Sequence, residues 1–144
     1  RKFDLIIEYF INKMIMTLYH GNHYIKSLES IVKNGFDTSK VGSGWGMTYG
    51  AGVYFSDNLE IAHEVYSNNN GYVVAVEIDT RAYQLTKDYT VSNKKQIKQI
   101  IVKNINTKKY NMLITKGIEP EYVLFDLDAI VSVKLLKIDK CKLT

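Results

Sequence analysis

Three polar residues lie at the edges of apolar, strand-like segments of this 144-residue sequence. His20 ends the first segment, Tyr54 follows Gly52 within the second, and Glu121 opens the third. A strand that is buried on both faces consists of apolar residues and does not need such side chains. An imidazole that donates and accepts hydrogen bonds, a flat aromatic ring and a carboxylate can together hold a ribose beside a planar heterocycle. The three side chains therefore indicate a chemical site.

Each of these residues, taken singly, also has an ordinary structural interpretation. His20 is then a strand-end histidine, Tyr54 a core aromatic residue, and Glu121 a solvated charge at the start of a strand. Gly21 favours the functional interpretation, because a ligand can approach backbone N–H and C=O groups closely where there is no side chain. A planar carboxamide can then pair with this backbone. Stacking of a heterocycle on Tyr54 adds roughly 0.5–1.5 kcal/mol beyond area burial.

The bulk properties of the chain predict one domain over residues 1–144. Hydrophobic residues make up 46% of the sequence, which is ordinary for a protein with a real core. The net charge of +4 comes from scattered lysines, so it argues only weakly for nucleic acid. Cys141 is the only cysteine, which excludes an intrachain disulfide and a cysteine cluster for zinc. We expect no metal, reducing conditions, and a cytoplasmic or other intracellular location.

Apolar residues at helical spacing predict several helices. Glu8, Asn12 and Lys13 interrupt the first one, so it is expected to pack on the core and not to enter a membrane. Gly35 is expected to cap the second helix, and Asp57 is expected to be the N-cap of the third. The predicted helices lie within residues 1–16 and at Ile25–Val32, Leu59–Tyr66 and Ser92–Ile105.

The strand signals complete an α+β pattern. The stretch Tyr72–Ile78 is apolar on both faces and is predicted to be a central strand, and Asn68–Gly71 before it is predicted to be a turn. Helices and strands do not alternate in a βαβ rhythm, which favours an α+β core over residues 17–138. The other predicted strands are Thr17–His20, Val53–Ser56, Tyr122–Phe125 and Ile130–Ile138.

A glycine-rich loop, Phe36–Gly50, precedes the segment that carries Tyr54. Its Gly42 and Gly44 are followed by Gly46, but the third glycine of a G-x-G-x-x-G pattern is absent and no strand leads directly in. A doubly wound dinucleotide-binding fold is therefore not expected. Loops of this length are often functional. Trp45 within it either flanks an adenosine or packs as an anchor.

Three motifs, in this order along the chain, carry a family resemblance. They are Tyr19-His20-Gly21, then Gly50-Ala51-Gly52-Val53-Tyr54-Phe55-Ser56-Asp57, then Glu121-Tyr122-Val123-Leu124-Phe125-Asp126. Together they resemble the His-Tyr-Glu class of ADP-ribosyltransferases, which includes the poly(ADP-ribose) polymerase catalytic domain, over about residues 18–138. The part of the loop from Phe36 to Gly46 is similar to that of small ADP-ribosyltransferase domains in phage and mobile-element polyvalent proteins. The resemblance implies a split, strongly bent antiparallel sheet with flanking helices.

The resemblance also implies a role for each of the three polar residues. His20 is expected to bind a ribose hydroxyl, the backbone of Gly21 to pair with the nicotinamide carboxamide, and Tyr54 to stack beneath nicotinamide. Glu121 is expected to bind the 2′-hydroxyl of the nicotinamide ribose and to support positive charge on the anomeric carbon as nicotinamide leaves. The other residues expected at NAD are Asn22, Trp45, Gly52, Phe55, Ser56 and Tyr66.

Two positions in the helix after Tyr54 depart from the polymerase pattern. Where the polymerases have a serine on the carboxamide, this sequence has Ala62 or His63. Where they have a second stacking tyrosine, it has Val65, or Tyr66 if the helix is set one residue differently. So few residues precede the first motif that no regulatory helical domain is expected. Transfer of single ADP-ribose units is therefore predicted.

The resemblance thus implies an NAD-dependent ADP-ribosyltransferase that uses NAD as a substrate, without a metal, and releases nicotinamide. We expect a monomer that modifies a protein or nucleic-acid acceptor, in a host cell if the chain is of viral or phage origin. Two alternatives stay open: an NAD glycohydrolase, in which water replaces the acceptor, and a non-catalytic domain that binds ADP-ribose or a partner. The complete triad favours an enzyme, because a binding module has no need of Glu121.

Overall fold

The computed structural model describes residues 15–37, 52–84, 110–115 and 119–139. The helices predicted before residue 15 and at 92–105, Trp45 and most of the glycine-rich loop lie outside these ranges. The strands are β1 (Ile15–His20), β2 (Val53–Phe55), β3 (Tyr72–Asp79), β4 (Ala82–Gln84), β5 (Met112–Ile114), β6 (Tyr122–Leu124) and β7 (Ile130–Lys137). The helical segments are α1 (Ile25–Asn34), α2 (Leu59–Ile61), a π-helical turn that continues it (Ala62–Tyr66), and a 3-10 turn (Leu127–Ala129).

The described strands form two sheets. The first has the order β1-β3-β7, and both of its pairings are antiparallel. The second has the order β2-β6-β5-β4, in which β4 and β5 are parallel. The predicted α+β class with a split sheet is confirmed, and the predicted antiparallel pairing is found in every described pair except β4 with β5. A parallel pair needs a long connection, and the chain between Gln84 at the end of β4 and Met112 at the start of β5 is long enough for one.

The central strand of the first sheet is β3, as its two apolar faces predict. Val73, Val74, Val76 and Ile78 on this strand have no exposed surface. The helix α1 packs against β3 and β7 and buries Leu28 completely. The first sheet is therefore a well-packed support for the end of β1, where the first motif lies.

The strand β1 begins earlier than predicted. Ile15 pairs with Asp79 and Met16 with Ile78, so both residues extend the ladder with β3. They belong to the sheet and not to the predicted N-terminal helix. The long partner strand explains the difference, because β3 offers pairing positions for residues whose local pattern alone indicated a helix.

One apolar core is shared by both sheets and α1. Alternation along β2 turns Val53 and Phe55 into this core and turns Tyr54 to the other face of the second sheet. There the ring of Tyr54 packs against the buried residues Leu113 and Val123. The core contains Leu18, Leu28, Val53, Phe55, Val74, Val76, Ile78, Met112, Tyr122 and Leu124.

The boundary of α1 and the turn before β3 agree with the sequence. After Asn34, Gly35 has a φ of 80° and its N–H donates to Ile31 O at 2.8 Å, which confirms the predicted glycine cap. Asn68 and Asn69 adopt positive φ values of 51° and 57° in the predicted turn. Asparagine tolerates this left-handed conformation better than most residues.

The predicted N-cap of the helix after β2 is wrong by one residue. Asn58 is the cap, and its Oδ1 accepts hydrogen bonds from the N–H groups of Glu60 and Ile61 at 3.0 and 3.2 Å. Asp57 instead accepts a hydrogen bond from the hydroxyl of Tyr122 at 3.1 Å. Asp and Asn are equally good caps, so adjacent Asp and Asn residues leave the choice to tertiary contacts.

Asn111 connects the end of β3 to the second sheet. Its Nδ2 donates to Asp79 O at 2.7 Å, and its Oδ1 accepts from Arg81 N–H at 2.9 Å. Its own N–H donates to Arg81 O at 2.9 Å, and its carbonyl accepts from Phe125 N–H at 3.0 Å. Because Asn111 is only 2% exposed, water cannot readily replace these bonds.

We expect Asn111→Ala to lower the free energy of unfolding by about 2 kcal/mol, because the partners of its side chain lose their hydrogen bonds in a buried position. Urea denaturation measures this change. Asn34→Ala is the matched control, since Asn34 is exposed and makes only a 3.4 Å bond to Ser30 Oγ. Equal denaturation midpoints for the two variants would contradict the role given to Asn111.

Candidate active site

The ends of β1 and β2 are joined by an isolated antiparallel bridge. Tyr19 N–H donates to Ser56 O at 2.8 Å, and Ser56 N–H donates to Tyr19 O at 2.9 Å. Beside the bridge, Nδ1 of His20 lies 2.9 Å from the carbonyl oxygen of Tyr54. A carbonyl only accepts hydrogen bonds, so Nδ1 carries a proton. The bridge therefore brings two of the three predicted site residues together.

Two phenylalanines enclose the ring of His20. Its centroid lies 5.2 Å from that of Phe36 and 5.7 Å from that of Phe55, both in edge-on arrangements. Burial lowers the pKa of His20, and the hydrogen bond to the Tyr54 carbonyl offsets only part of that effect. The imidazole is therefore neutral at physiological pH, and its Nε2 is a hydrogen-bond acceptor.

Tyr54 and Glu121 lie on the same face of the second sheet. Tyr54 pairs with Val123 across the β2–β6 ladder. Glu121 comes two residues before Val123, so strand alternation gives both the same face. Such diagonal neighbours are about 7–8 Å apart, within reach of long side chains. The register of β2 on β6 thus sets the spacing between the aromatic ring and the carboxylate.

Thr115 holds the backbone of Glu121 on both sides. Glu121 N–H donates to Thr115 Oγ1 at 2.8 Å, and Thr115 N–H donates to Glu121 O at 2.9 Å. Thr115 is only 6% exposed, so these bonds are largely protected from water. Glu121, directly before β6, is therefore fixed to the residue that follows β5 and is not a loose strand end.

The π-helical turn brings Tyr66 to Glu121. Ser67 N–H donates to Ala62 O at 2.9 Å, a bond between residues five apart that makes the turn one residue wider than an α-helical turn. The hydroxyl of Tyr66 donates to Glu121 Oε1 at 3.5 Å, a long hydrogen bond. Val65 instead is 61% exposed. The turn therefore brings Tyr66 to the carboxylate, and stacking of Tyr66 on nicotinamide stays a prediction.

Gly21 lies against this turn. A Cβ atom at Gly21 would be 2.4 Å from Ala62 O, 2.7 Å from Ser67 Oγ and 2.7 Å from Tyr66 Cβ. The space that a side chain at position 21 would need is therefore filled by protein atoms. From the sequence alone, Gly21 indicates the close approach of a ligand, whereas the structure shows that packing against the turn also requires a glycine. The close contact also places the backbone of Gly21 beside the base of the Tyr66 side chain.

The predicted site residue Asn22 is held by neighbouring polar groups. Its N–H donates to Ser67 Oγ at 3.1 Å, and its Oδ1 accepts from Tyr24 N–H at 2.9 Å. Its carbonyl accepts from Nδ2 of Asn70 at 2.8 Å. Asn22 thus shapes the loop after Gly21, and its contact with a ligand stays a prediction.

Three other predicted site residues lie in the protein interior. Gly52 is buried, and a Cβ there would be 2.8 Å from the backbone of Leu124 in β6. Phe55 is 2% exposed and supports the ring of His20. Ser56 is 5% exposed and forms the bridge between the strands. Their contact with a ligand stays a prediction, and Trp45 lies outside the described residues.

Four residues that hold the site together were not found from the sequence. The sequence places Phe36 in the loop, although an aromatic residue directly after a glycine cap is a usable packing signal. The turn containing Asn70 is predicted, but nothing local indicates that its side chain reaches another segment. The four residues are Phe36, Ser67, Asn70 and Thr115.

The structure thus links His20 to Tyr54 and Glu121 to Tyr66, with Gly21 against the same π-helical turn. A family model of the poly(ADP-ribose) polymerase catalytic domain matches residues 2–127, a span that includes all of these residues. The chain belongs to this family. A search of the curated proteins finds no match.

The poly(ADP-ribose) polymerase catalytic domain family consists of ADP-ribosyltransferase-type domains, and the substrate of this family is NAD. In the ranges that the structure describes, no three His, Cys, Asp or Glu side chains are grouped so as to hold a metal ion. None of the helices in those ranges has the length and apolar character needed to cross a membrane.

Glu121 and Tyr66 shift each other's ionisation in this polymerase-like site. Burial raises the pKa of Glu121, and the hydrogen bond from Tyr66 lowers it by less. The pKa of Tyr66 is raised by burial first and then by the negative charge of Glu121 and their hydrogen bond. Tyr66 therefore stays protonated and can donate its hydroxyl proton to the carboxylate.

We expect Glu121→Gln to raise the melting temperature at pH 7. The folded state holds a proton on Glu121 at pH values where the unfolded chain has lost it, so stability falls as pH rises through the raised pKa. Glutamine does not ionise, so the variant does not lose stability as the pH rises. The difference in melting temperature should therefore shrink as pH falls below the ordinary glutamate range, about 4.3. A difference that is independent of pH would contradict the raised pKa, and Glu119→Gln is the exposed control.

Proposed function

We propose that this domain transfers a single ADP-ribose unit from NAD to a nucleophile on a protein or nucleic acid and releases nicotinamide. The contact between the Tyr66 hydroxyl and the Glu121 carboxylate carries the proposal, and the base of the same tyrosine side chain lies against Gly21. Tyr66 thus connects a carboxylate to the backbone of a glycine through one aromatic side chain. Family membership supports NAD as the donor.

Nicotinamide is assigned to the space bordered by two tyrosines and the first motif. Tyr54 lies on the outer face of the second sheet, Tyr66 lies on the π-helical turn, and both are only partly buried. Each stacked ring contributes roughly 0.5–1.5 kcal/mol beyond area burial. The backbone of Gly21 then supplies the partner for the carboxamide, in keeping with its position against Tyr66.

His20 is assigned to a ribose hydroxyl as an acceptor. Its Nδ1 proton is directed to the Tyr54 carbonyl, so the neutral ring offers Nε2. Because the lowered pKa keeps a second proton off the ring, Nε2 can accept from a hydroxyl group at neutral pH. The packing of Phe36 and Phe55 against the ring supports a fixed orientation.

Glu121 is assigned to the bond-breaking step. The electron pair of the glycosidic C–N bond leaves with the nicotinamide nitrogen, and the anomeric carbon acquires positive charge. The carboxylate accepts the 2′-hydroxyl hydrogen bond and stabilises this charge, and a lone pair of the acceptor then forms the new bond as the acceptor loses its proton. Only the ionised carboxylate can do this, so the raised pKa places the acid limb of the rate profile above that of an ordinary glutamate.

Transfer of one unit, and not of a polymer, is the favoured outcome. Where the polymerases have a serine on the carboxamide this chain has Ala62 or His63, and neither of these side chains is a serine, so one contact of the polymerase pattern has no clear counterpart. This departure supports a narrower activity than chain elongation. Mass spectrometry of a modified acceptor distinguishes one added unit from a ladder.

We expect Glu121→Gln to slow NAD turnover by about 10²–10³-fold, because removal of a pre-placed stabilising group costs this much in other enzymes. Nicotinamide release measured by liquid chromatography gives the rate, and calorimetry should show that NAD binding survives. Glu119→Gln makes the same chemical change at an exposed position two residues away and should leave the rate unchanged. Full activity of the Glu121 variant would remove Glu121 from the reaction.

We expect label from NAD to move into macromolecules when the protein is incubated with a cell lysate. Transfer to a positioned acceptor should be faster than hydrolysis, because bound acceptor displaces water from the reactive carbon. Free ADP-ribose as the only product would instead identify a glycohydrolase. Unchanged NAD would identify a binding domain without activity.

A further inference from the structure

The loop of residues 21–24, directly after His20, does not pair with any of the described strands. Side chains of a turn that is distant in the sequence form hydrogen bonds to its backbone. Ser67 Oγ accepts from Asn22 N–H at 3.1 Å. Nδ2 of Asn70 donates to Asn22 O at 2.8 Å and to His23 O at 3.1 Å. The backbone immediately after Gly21 is therefore bound on both its donor and its acceptor side.

The amide of Asn70 can adopt only one orientation in this network. Its Oδ1 accepts from Tyr72 N–H at 3.0 Å, so its Nδ2 faces the carbonyls of Asn22 and His23. A flipped amide would set oxygen against two carbonyl oxygens and nitrogen against an N–H group. The amide nitrogen and the amide oxygen of Asn70 are thus both hydrogen-bonded, and the two atoms cannot swap positions without losing these bonds.

The turn that carries Asn70 is itself anchored. Gly71 N–H donates to Nε2 of His63 at 2.9 Å, and Asn69 N–H donates to His63 O at 2.9 Å. Gly71 O accepts from Ile138 N–H at 2.7 Å. His63 is only 1% exposed, so this anchor lies in the protein interior. The turn is therefore tied to the π-helical turn on one side and to the first sheet on the other.

We propose that Asn70 is a positioning residue that fixes the backbone of Asn22 and His23, and thereby orients the adjacent backbone of Gly21 for the carboxamide of nicotinamide. This inference rests on the proposed function, because it assigns Asn70 to the carboxamide half of the proposed NAD site. A backbone N–H or C=O group has no rotamers. The direction in which it presents its hydrogen bond therefore depends on the contacts that fix the surrounding backbone. Asn70 supplies two such contacts, the hydrogen bonds from its Nδ2 to the carbonyl oxygens of Asn22 and His23.

The variant Asn70→Asp changes this contact with little change in shape. The carboxylate keeps the acceptor for Tyr72 N–H but sets an oxygen against the carbonyls of Asn22 and His23. Asn68→Asp is the matched control, because it adds the same charge to the same turn from an exposed position. Aspartate also tolerates the positive φ of residue 68.

Calorimetry with two probes tests the inference. Benzamide presents a planar carboxamide, whereas ADP-ribose has none. We expect Asn70→Asp to weaken benzamide binding by roughly tenfold or more, as the loss of one or two hydrogen bonds implies, and to leave ADP-ribose binding unchanged. The Asn68 variant should bind both probes like the parent chain.

Other outcomes separate this inference from the proposed function. Unchanged benzamide binding by Asn70→Asp, or an equal loss of both probes, would overturn the positioning role. A parent chain that binds neither probe would overturn the proposed function, and the positioning role with it. If Asn70→Asp does not fold, as thermal unfolding would show, Asn70→Ala removes the two donors without adding charge and is expected to show the same selective loss.

Discussion

The bridge between Tyr19 and Ser56 is the contact on which the arrangement of the site depends. It pairs a strand of the first sheet with a residue at the end of a strand of the second. Each strand is otherwise fixed within its own sheet, so the bridge sets how the two sheet edges meet. His20 and Tyr54 lie within two residues of it, and their 2.9 Å contact requires this register. A slip of one residue would turn the side chains of that strand to the opposite face.

A second dependence links Gly21 to the π-helical turn. The extra residue in the turn directs Tyr66 to Glu121, and the same turn occupies the space where a side chain at position 21 would lie. π-Helical turns are uncommon in proteins, and those that occur are frequently at functional sites. In the sequence, Tyr66 lies one position after Val65, the position that corresponds to the second tyrosine of the polymerases. The wider turn compensates for this offset, so that the Tyr66 hydroxyl contacts the Glu121 carboxylate.

Elements with a strong local signal could be predicted from the sequence, and contacts between distant segments could not. The apolar faces of β3 and the three polar residues at strand edges each have a local pattern. Asp57 is the predicted cap and Asn58 the observed one, and the local sequence does not separate them because Asp and Asn are equivalent caps. The parallel pairing of β4 with β5 depends on a long connection. The hold of Asn70 on the loop after His20 joins segments 48 positions apart, and no spacing rule expresses it.

At Glu121 the needs of stability and of the proposed chemistry oppose each other. Burial favours the protonated carboxyl, so the ionised form that would stabilise a positive anomeric carbon makes the folded state less stable at neutral pH. The Tyr66 hydroxyl and the backbone bonds to Thr115 hold that charged form in place. A wetter site would lower the pKa and remove the cost. It would also weaken the electrostatic interaction with the reacting carbon, since water screens both effects alike.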